Sequence, residues 1–128
     1  MVVFVYGTLT DRDTAASVLD GFEYRGRATL AGLHRVDGRY PTLLPDGEVE
    51  GRLLATDDLA ALDRYEGVAD GLYVRVSVPR ASGGTAETYV GDPARLGVAD
   101  EWPGDGAFGE RVESYLDEHP VVVRKTDG

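Results

Sequence analysis

Glu66 lies in the run Leu62-Asp63-Arg64-Tyr65-Glu66-Gly67, and its place there is chemically unusual. The run reads as the end of a helix, where a carboxylate faces the negative end of the helix dipole and is locally unfavourable. Two readings follow. Glu66 is a solvated glutamate at a helix end, or it turns out of the helix into a partly dry pocket. In a pocket, burial disfavours the charged form, raises the pKa and suits the group to moving protons near neutrality. A second stretch offers complementary chemistry. Val2-Val3-Phe4-Val5 is a β-branched and aromatic run that stops at Tyr6-Gly7-Thr8-Leu9, as a buried strand opening into a turn would. Such an opening exposes backbone N–H groups that no sheet partner satisfies. Two or three in a row hold an anion, a substrate carboxylate for instance, without any basic side chain. An edge strand followed by an ordinary turn is the plainer reading.

Other motifs carry less. Gly104-Asp105-Gly106-Ala107-Phe108-Gly109 matches G-x-G-x-x-G but follows Trp102-Pro103 rather than a strand. Too few residues remain after it for a dinucleotide-binding unit, and Asp105 would oppose a pyrophosphate. The two histidines, His34 and His119, form no ligand pair, so no metal site is expected. No serine sits in a nucleophile elbow. Asp57-Asp58 and Asp100-Glu101 could bind a cation weakly, but helix-cap and solvated-loop charges are the plainer reading, and no cofactor is implied.

The elements that must position Glu66 and the Tyr6 loop run strand, short helix, several strands, one central helix, two strands and a last helix. Thr10 or Asp11 caps a helix carrying Ala15, Val18 and Leu19 and ending at Gly21. Phe22 to Val36 reads as one or two strands with bends or bulges at Gly26 and Gly32. Leu43-Leu44 is expected to be a short edge strand before a hairpin at Asp46-Gly47, and Val49 to Ala55 the next strand. Thr56 or Asp57 caps the central helix, with Leu59, Leu62 and Tyr65 at i+3 spacing. Tyr73 to Val78 and Thr85 to Val90 alternate as two strands around Ala81-Ser82-Gly83-Gly84. Residues 91–106 look irregular, and Phe108 to Leu116 forms a last amphipathic helix. Val121 to Val123 is an edge strand or part of a tail. Strands in succession point to an α+β fold: a small mixed, largely antiparallel β-barrel flanked by two or three helices. One domain over residues 1–118 is expected, followed by a tail over 119–128.

Composition bounds the partners. The 128 residues carry 23 Asp plus Glu against 13 Lys plus Arg, a net charge of −10. That balance argues against nucleic acid, which requires a basic patch, and against anionic membrane surfaces. Lys125 is the single lysine, and asparagine and isoleucine are absent. This acidic, halophile-like surface resembles that of proteins from salt-accumulating microbes, where salt screens self-repulsion. An acidic protein from a GC-rich genome is the other reading. With no cysteine, no signal-peptide pattern and no long apolar run, a cytoplasmic location is expected. Oligomeric state is not legible.

Five blocks in order carry a resemblance: Tyr6-Gly7-Thr8-Leu9, Gly38-Arg39-Tyr40-Pro41, Val49-Glu50-Gly51-Arg52-Leu53, Leu62 to Gly67, and Tyr73-Val74-Arg75. Through them the chain resembles the γ-glutamylcyclotransferase-like superfamily, which includes γ-glutamylamine cyclotransferases and AIG2-like proteins. Thr8-Leu9 stands where the mammalian γ-glutamylcyclotransferase branch has Ser-Asn, so the resemblance is to the broader branch. It implies a small β-barrel flanked by helices. It also implies that a small γ-glutamyl amine or peptide is cleaved when its own α-amine attacks its γ-carbonyl, giving 5-oxoproline and an amine. Glu66 matches the acid/base of that reaction. Gly7, Thr8 and Leu9 would hold the α-carboxylate or the oxyanion through their N–H groups, the division between them left open. Tyr6, Tyr73 and Tyr89 are pocket walls or ordinary core tyrosines. The alternatives on the same fold are a non-catalytic binding module for a γ-glutamyl or other carboxylated metabolite, and a hydrolase or amide-exchange enzyme.

Overall fold

The computed structural model describes residues 1–126. Val2–Val5 forms β1, and it is buried on both faces, which is why its four residues are all apolar. A 3-10 turn (Thr8–Thr10) and α1 (Arg12–Val18) follow. Next come two long strands, β2 (Glu23–Asp37) and β3 (Pro41–Ala55), then α2 (Leu59–Glu66), β4 (Tyr73–Pro79) and β5 (Thr85–Gly91). The chain continues through the one-turn α3 (Pro93–Leu96) and α4 (Phe108–Glu118) to β6 (Val122–Lys125). The six strands make one sheet in the order β4-β5-β1-β3-β2-β6. Only β1 and β5 run parallel; the other neighbours are antiparallel. The expected α+β class and mixed, largely antiparallel sheet are therefore found, with four α-helices among the described residues.

The sheet curls into a half-barrel, bringing its two edges together at one point. Arg80 bridges Val123, and the Ala81 N–H donates to the Val123 carbonyl at 2.8 Å. Two register shifts between β2 and β3 bend the sheet: a bulge on β2 at Gly26, as expected, and one on β3 opposite Gly32, where β2 itself carries no extra residue. Gly32 has φ +107°, and a Cβ there would lie 2.9 Å from the Pro120 carbonyl oxygen. Glycine there leaves room for Pro120 and Val121, which lead into β6.

Asp46-Gly47 is not a hairpin turn. Leu43 and Leu44 are buried in the continuous strand β3, which pairs with β2 from Asp37↔Pro41 to Glu23↔Ala55. The hairpin turn is Gly38-Arg39-Tyr40. Asp46 (φ 78°) and Gly47 (φ 84°) instead form a bulge, since three β3 steps from Pro45 to Glu48 oppose two on β2 from Leu33 to Ala31. Pro41 starts the strand and Pro45 sits at the bulge, the places where a missing N–H is tolerated. Asp11 caps α1. For α2 the cap is Asp58, not Thr56 or Asp57: its carboxylate accepts from the Ala61 N–H at 3.1 Å. Thr56 supports it by accepting from the Asp58 N–H. The stretch read as irregular contains α3 and Trp102, which is fully buried and donates to the Leu43 carbonyl at 3.1 Å.

Two apolar clusters flank β1. Phe4 joins Leu30, Leu43, Leu53, Trp102 and α4's Val112. Val3 and Val5 join α1's Ala15, α2's Leu62, and Tyr73 and Tyr89. The period of two in β1 thus feeds both layers. Among the described residues no helix is long and apolar enough to cross a membrane.

Candidate active site

Glu66 is the last residue of α2, and Gly67 stops the helix there. Gly67 takes the left-handed conformation (φ 70°), and Val68 reaches back five residues to the Asp63 carbonyl at 3.0 Å. This Schellman closure satisfies the last carbonyls and turns the chain sharply away. Glu66 is left on the rim of the core with only part of its surface in contact with solvent. Burial pushes its carboxyl up to about 7.

The Tyr6 loop presents the other wall, and its carbonyls are all engaged. Tyr6 O accepts from Arg35 Nη1 at 2.8 Å. Gly7 O accepts from the Thr10 hydroxyl at 2.7 Å, and Thr8 O from the Asp11 N–H at 3.2 Å. Leu9 O accepts from the Tyr24 hydroxyl at 2.7 Å, and Thr10 O from Arg52 Nη1 at 2.9 Å. By contrast, the N–H groups of Gly7, Thr8 and Leu9 donate to nothing among the described residues. This is the arrangement of a loop whose donors are kept for something else.

Both walls line one cavity of about 300 Å³ at the end of β1. Tyr6, Gly7, Thr8, Leu9, Glu66, Tyr73 and Tyr89 all border it, so every residue singled out from the sequence is brought together. The tyrosines serve as walls and as structural residues at once. Tyr6 donates to the Tyr89 carbonyl at 2.6 Å, Tyr73 to the Pro41 carbonyl, and Tyr89 to Asp63 Oδ1 at 2.7 Å. Burial raises all three phenols, and the nearby Glu66 charge raises Tyr6 and Tyr73 further. They stay protonated and neutral. Among the described residues no lysine or arginine lines the cavity, so an anion inside must rely on neutral donors. No cluster of His, Cys, Asp or Glu suited to a metal occurs among the described residues.

Sequence reasoning missed some of the site. Tyr40 and Tyr65 stand half-exposed at the cavity, and the Tyr65 hydroxyl shares a hydrogen bond with Thr8 Oγ1 at 2.8 Å. Asp63, which holds Tyr89 and Arg75, was passed over as well. Its spacing was the available signal, since i and i+3 share a helix face with Glu66. Gly104 to Gly109 leads into α4 and follows no strand.

The comparisons converge on this architecture. AIG2-like protein C of Arabidopsis thaliana is 39% identical over 74 residues, 52% of this chain and 43% of that protein. AIG2-like protein A of the same plant is 40% identical over 84 residues, 59% of this chain and 49% of that protein. The aligned stretch thus spans less than half the length of these relatives. A solved γ-glutamyl cyclotransferase superposes with a TM-score of 0.62 at 18% identity, covering 93% of this chain and 99% of that one, a likeness of fold. An Arabidopsis thaliana protein solved in solution has a TM-score of 0.55 at 31% identity, with 91% and 83% covered. The family described as "Gamma-glutamyl cyclotransferase, AIG2-like" matches residues 3–104, a span that begins in β1, takes in both walls of the cavity and ends beyond Trp102. The chain belongs to that family.

Proposed function

We propose that this protein is a cofactor-independent cyclotransferase acting on a small γ-glutamyl amine or peptide. The observation that carries the reading is the pairing, in one cavity, of a carboxyl raised to about 7 with three backbone donors that have no acceptor among the described residues. The donors suit the α-carboxylate or the oxyanion that develops on the γ-carbonyl. Holding both ends of the glutamyl group bends it so that its α-nitrogen meets its γ-carbon, and an intramolecular attack then needs no second reactant. Two protons leave the α-ammonium nitrogen on the way to the lactam, and two arrive on the leaving nitrogen by its release as an ammonium ion. Glu66 relays them, taking a proton from the attacking nitrogen and returning one to the departing nitrogen. A carboxyl near 7 does both at neutral pH. Neither a cofactor nor a nucleic-acid or membrane partner is needed, and the cysteine-free composition suits a cytoplasmic setting.

The test is chemical. Wild type is incubated with a panel of γ-glutamyl amines and peptides in high salt, and 5-oxoproline is quantified. Turnover is expected from at least one member, and Glu66→Gln is expected to lower kcat by about 10²–10⁴-fold while remaining folded. A folded wild type that binds panel members but releases no 5-oxoproline would make the protein a binding module instead. An unimpaired Glu66→Gln would remove Glu66 from the mechanism.

A further inference from the structure

Three side chains that do not line the cavity hold the loop that does. Arg35 comes from β2 and donates to Tyr6 O at 2.8 Å. Tyr24, also on β2, donates to Leu9 O at 2.7 Å, and Arg52 on β3 donates to Thr10 O at 2.9 Å. The last two act as a unit, because the Arg52 guanidinium carbon lies 3.6 Å over the Tyr24 ring. Arg12 of α1 lies over the same ring at 5.2 Å. A phenol ring contacted by two guanidiniums is attracted to both.

The peptide geometry gives these contacts a direction. A carbonyl and the next residue's N–H belong to one planar, conjugated unit. A donor on the Tyr6 carbonyl therefore fixes the plane of the Gly7 N–H and draws electron density away from it, so that hydrogen bonds in series strengthen one another. The donor on Tyr6 O is a guanidinium, the strongest kind available, whereas Thr8 and Leu9 N–H groups share units with carbonyls bound by neutral donors.

We propose that Arg35, Tyr24 and Arg52 are positioning residues for the anion-holding loop, and that Arg35, acting through the Tyr6–Gly7 peptide, makes Gly7 N–H its principal carboxylate donor. Arg35 Nε is paired with Asp37 Oδ1 at 2.8 Å. In an acidic protein with no cation on the cavity wall among the described residues, the effect of Arg35 therefore reaches a substrate anion through the hydrogen-bonded Tyr6–Gly7 peptide rather than as free charge. The inference rests on the reading of the loop given above and sharpens it by assigning the α-carboxylate to Gly7.

The probe is 5-oxoproline, which carries the carboxylate, with its neutral carboxamide as control. Each is titrated into isotope-labelled protein while the Gly7, Thr8 and Leu9 amide signals are followed. In wild type the Gly7 amide is expected to move most. Arg35→Met should raise the Kd for 5-oxoproline about ten-fold and leave that for the carboxamide within about two-fold. Its ligand-free Gly7 proton should move upfield, and Arg35→Lys should restore most of the affinity. Tyr24→Phe, which removes one oxygen and keeps the ring, should weaken 5-oxoproline about five-fold with little change in Tm. If 5-oxoproline perturbs none of these amides in wild type, the loop reading fails and the inference with it. If it perturbs them but the variants bind as wild type does, or lose acid and carboxamide equally, the inference alone is overturned.

Discussion

The Asp63 carboxylate accepts the Tyr89 hydroxyl at 2.7 Å, one helical turn before Glu66. The same carboxylate takes Arg75 Nη1 on both oxygens at 3.1 and 3.0 Å. Through these contacts α2 is tied to β4 and β5, and the phenol that lines the cavity is fixed by the helix that carries the acid/base candidate. Neither partner is fully exposed, so the link resists screening better than a surface pair would.

Removing that link should loosen the helix. Asp63→Asn is expected to cost about 1–3 kcal/mol and Tyr89→Phe about 1 kcal/mol in urea unfolding. A double-mutant cycle should return a coupling of about 1 kcal/mol, whereas strictly additive effects would mean that the contact contributes nothing.

The raised Glu66 carboxyl makes stability depend on pH with a definite sign. Its folded value of about 7 lies above the unfolded 4.5, so between them the native state binds more protons. Its contribution is therefore fully present below about 4.5 and is lost as pH rises through about 7. That displacement corresponds to about 3 kcal/mol as an upper bound. Because Glu66 keeps some solvent contact, a loss of about 1–2 kcal/mol between about pH 5 and about pH 8 is expected. Denaturant midpoints for wild type minus Glu66→Gln isolate it, and a difference that does not vary with pH would show that the carboxyl titrates normally. In turnover, kcat/KM should rise with an apparent pKa of about 7 as the base form appears.

Gly67 should matter to activity more than to stability. An alanine must take φ 70° and press its Cβ to 3.3 Å from Leu72 Cβ, costing about 1–2 kcal/mol. The compensating adjustment falls on the residue beside Glu66. Gly84 has a similar φ of 74° with nothing within 4 Å of its Cβ position, so Gly84→Ala is the control. Both should lower the unfolding midpoint, but only Gly67→Ala should lower kcat, by about ten-fold or more.

The acidic surface predicts a response to salt. Ion pairs among the described residues engage Glu23, Asp37, Asp63 and Glu101, a small part of the 23 acids. Screening the remainder should raise Tm by about 5 °C or more between about 0.05 and about 1 M NaCl. A flat or falling Tm in a calorimetric salt series would count against a halophile-like adaptation.

Much of the fold was legible because its causes are local. The unbroken apolar run of β1 reports a strand buried on both faces, Gly26 reports a bulge in β2, and Gly32 reports the bend opposite a bulge in β3. Asp46-Gly47 reads as a hairpin turn for an equally local reason: a tight hairpin turn calls for positive φ, and the bulge formed here also holds both residues at positive φ. Only the pairing of β3 with β2 along its length distinguishes them. Trp102 escaped notice because its partner, the Leu43 carbonyl, lies 59 residues away.

The candidate site divides along the same line. By itself the sequence determined a carboxylate at a helix end stopped by Gly67 and a strand opening into a turn with spare N–H groups, since capping and turn chemistry act over a few residues. Tertiary structure alone decided that the two border one cavity, that the carboxylate is dry enough to titrate near 7, and that Arg35, Tyr24 and Arg52 occupy the loop's carbonyls. Those contacts join residues 15 to 42 positions apart, and desolvation depends on everything packed around a group. Neither is a property of any short stretch of chain.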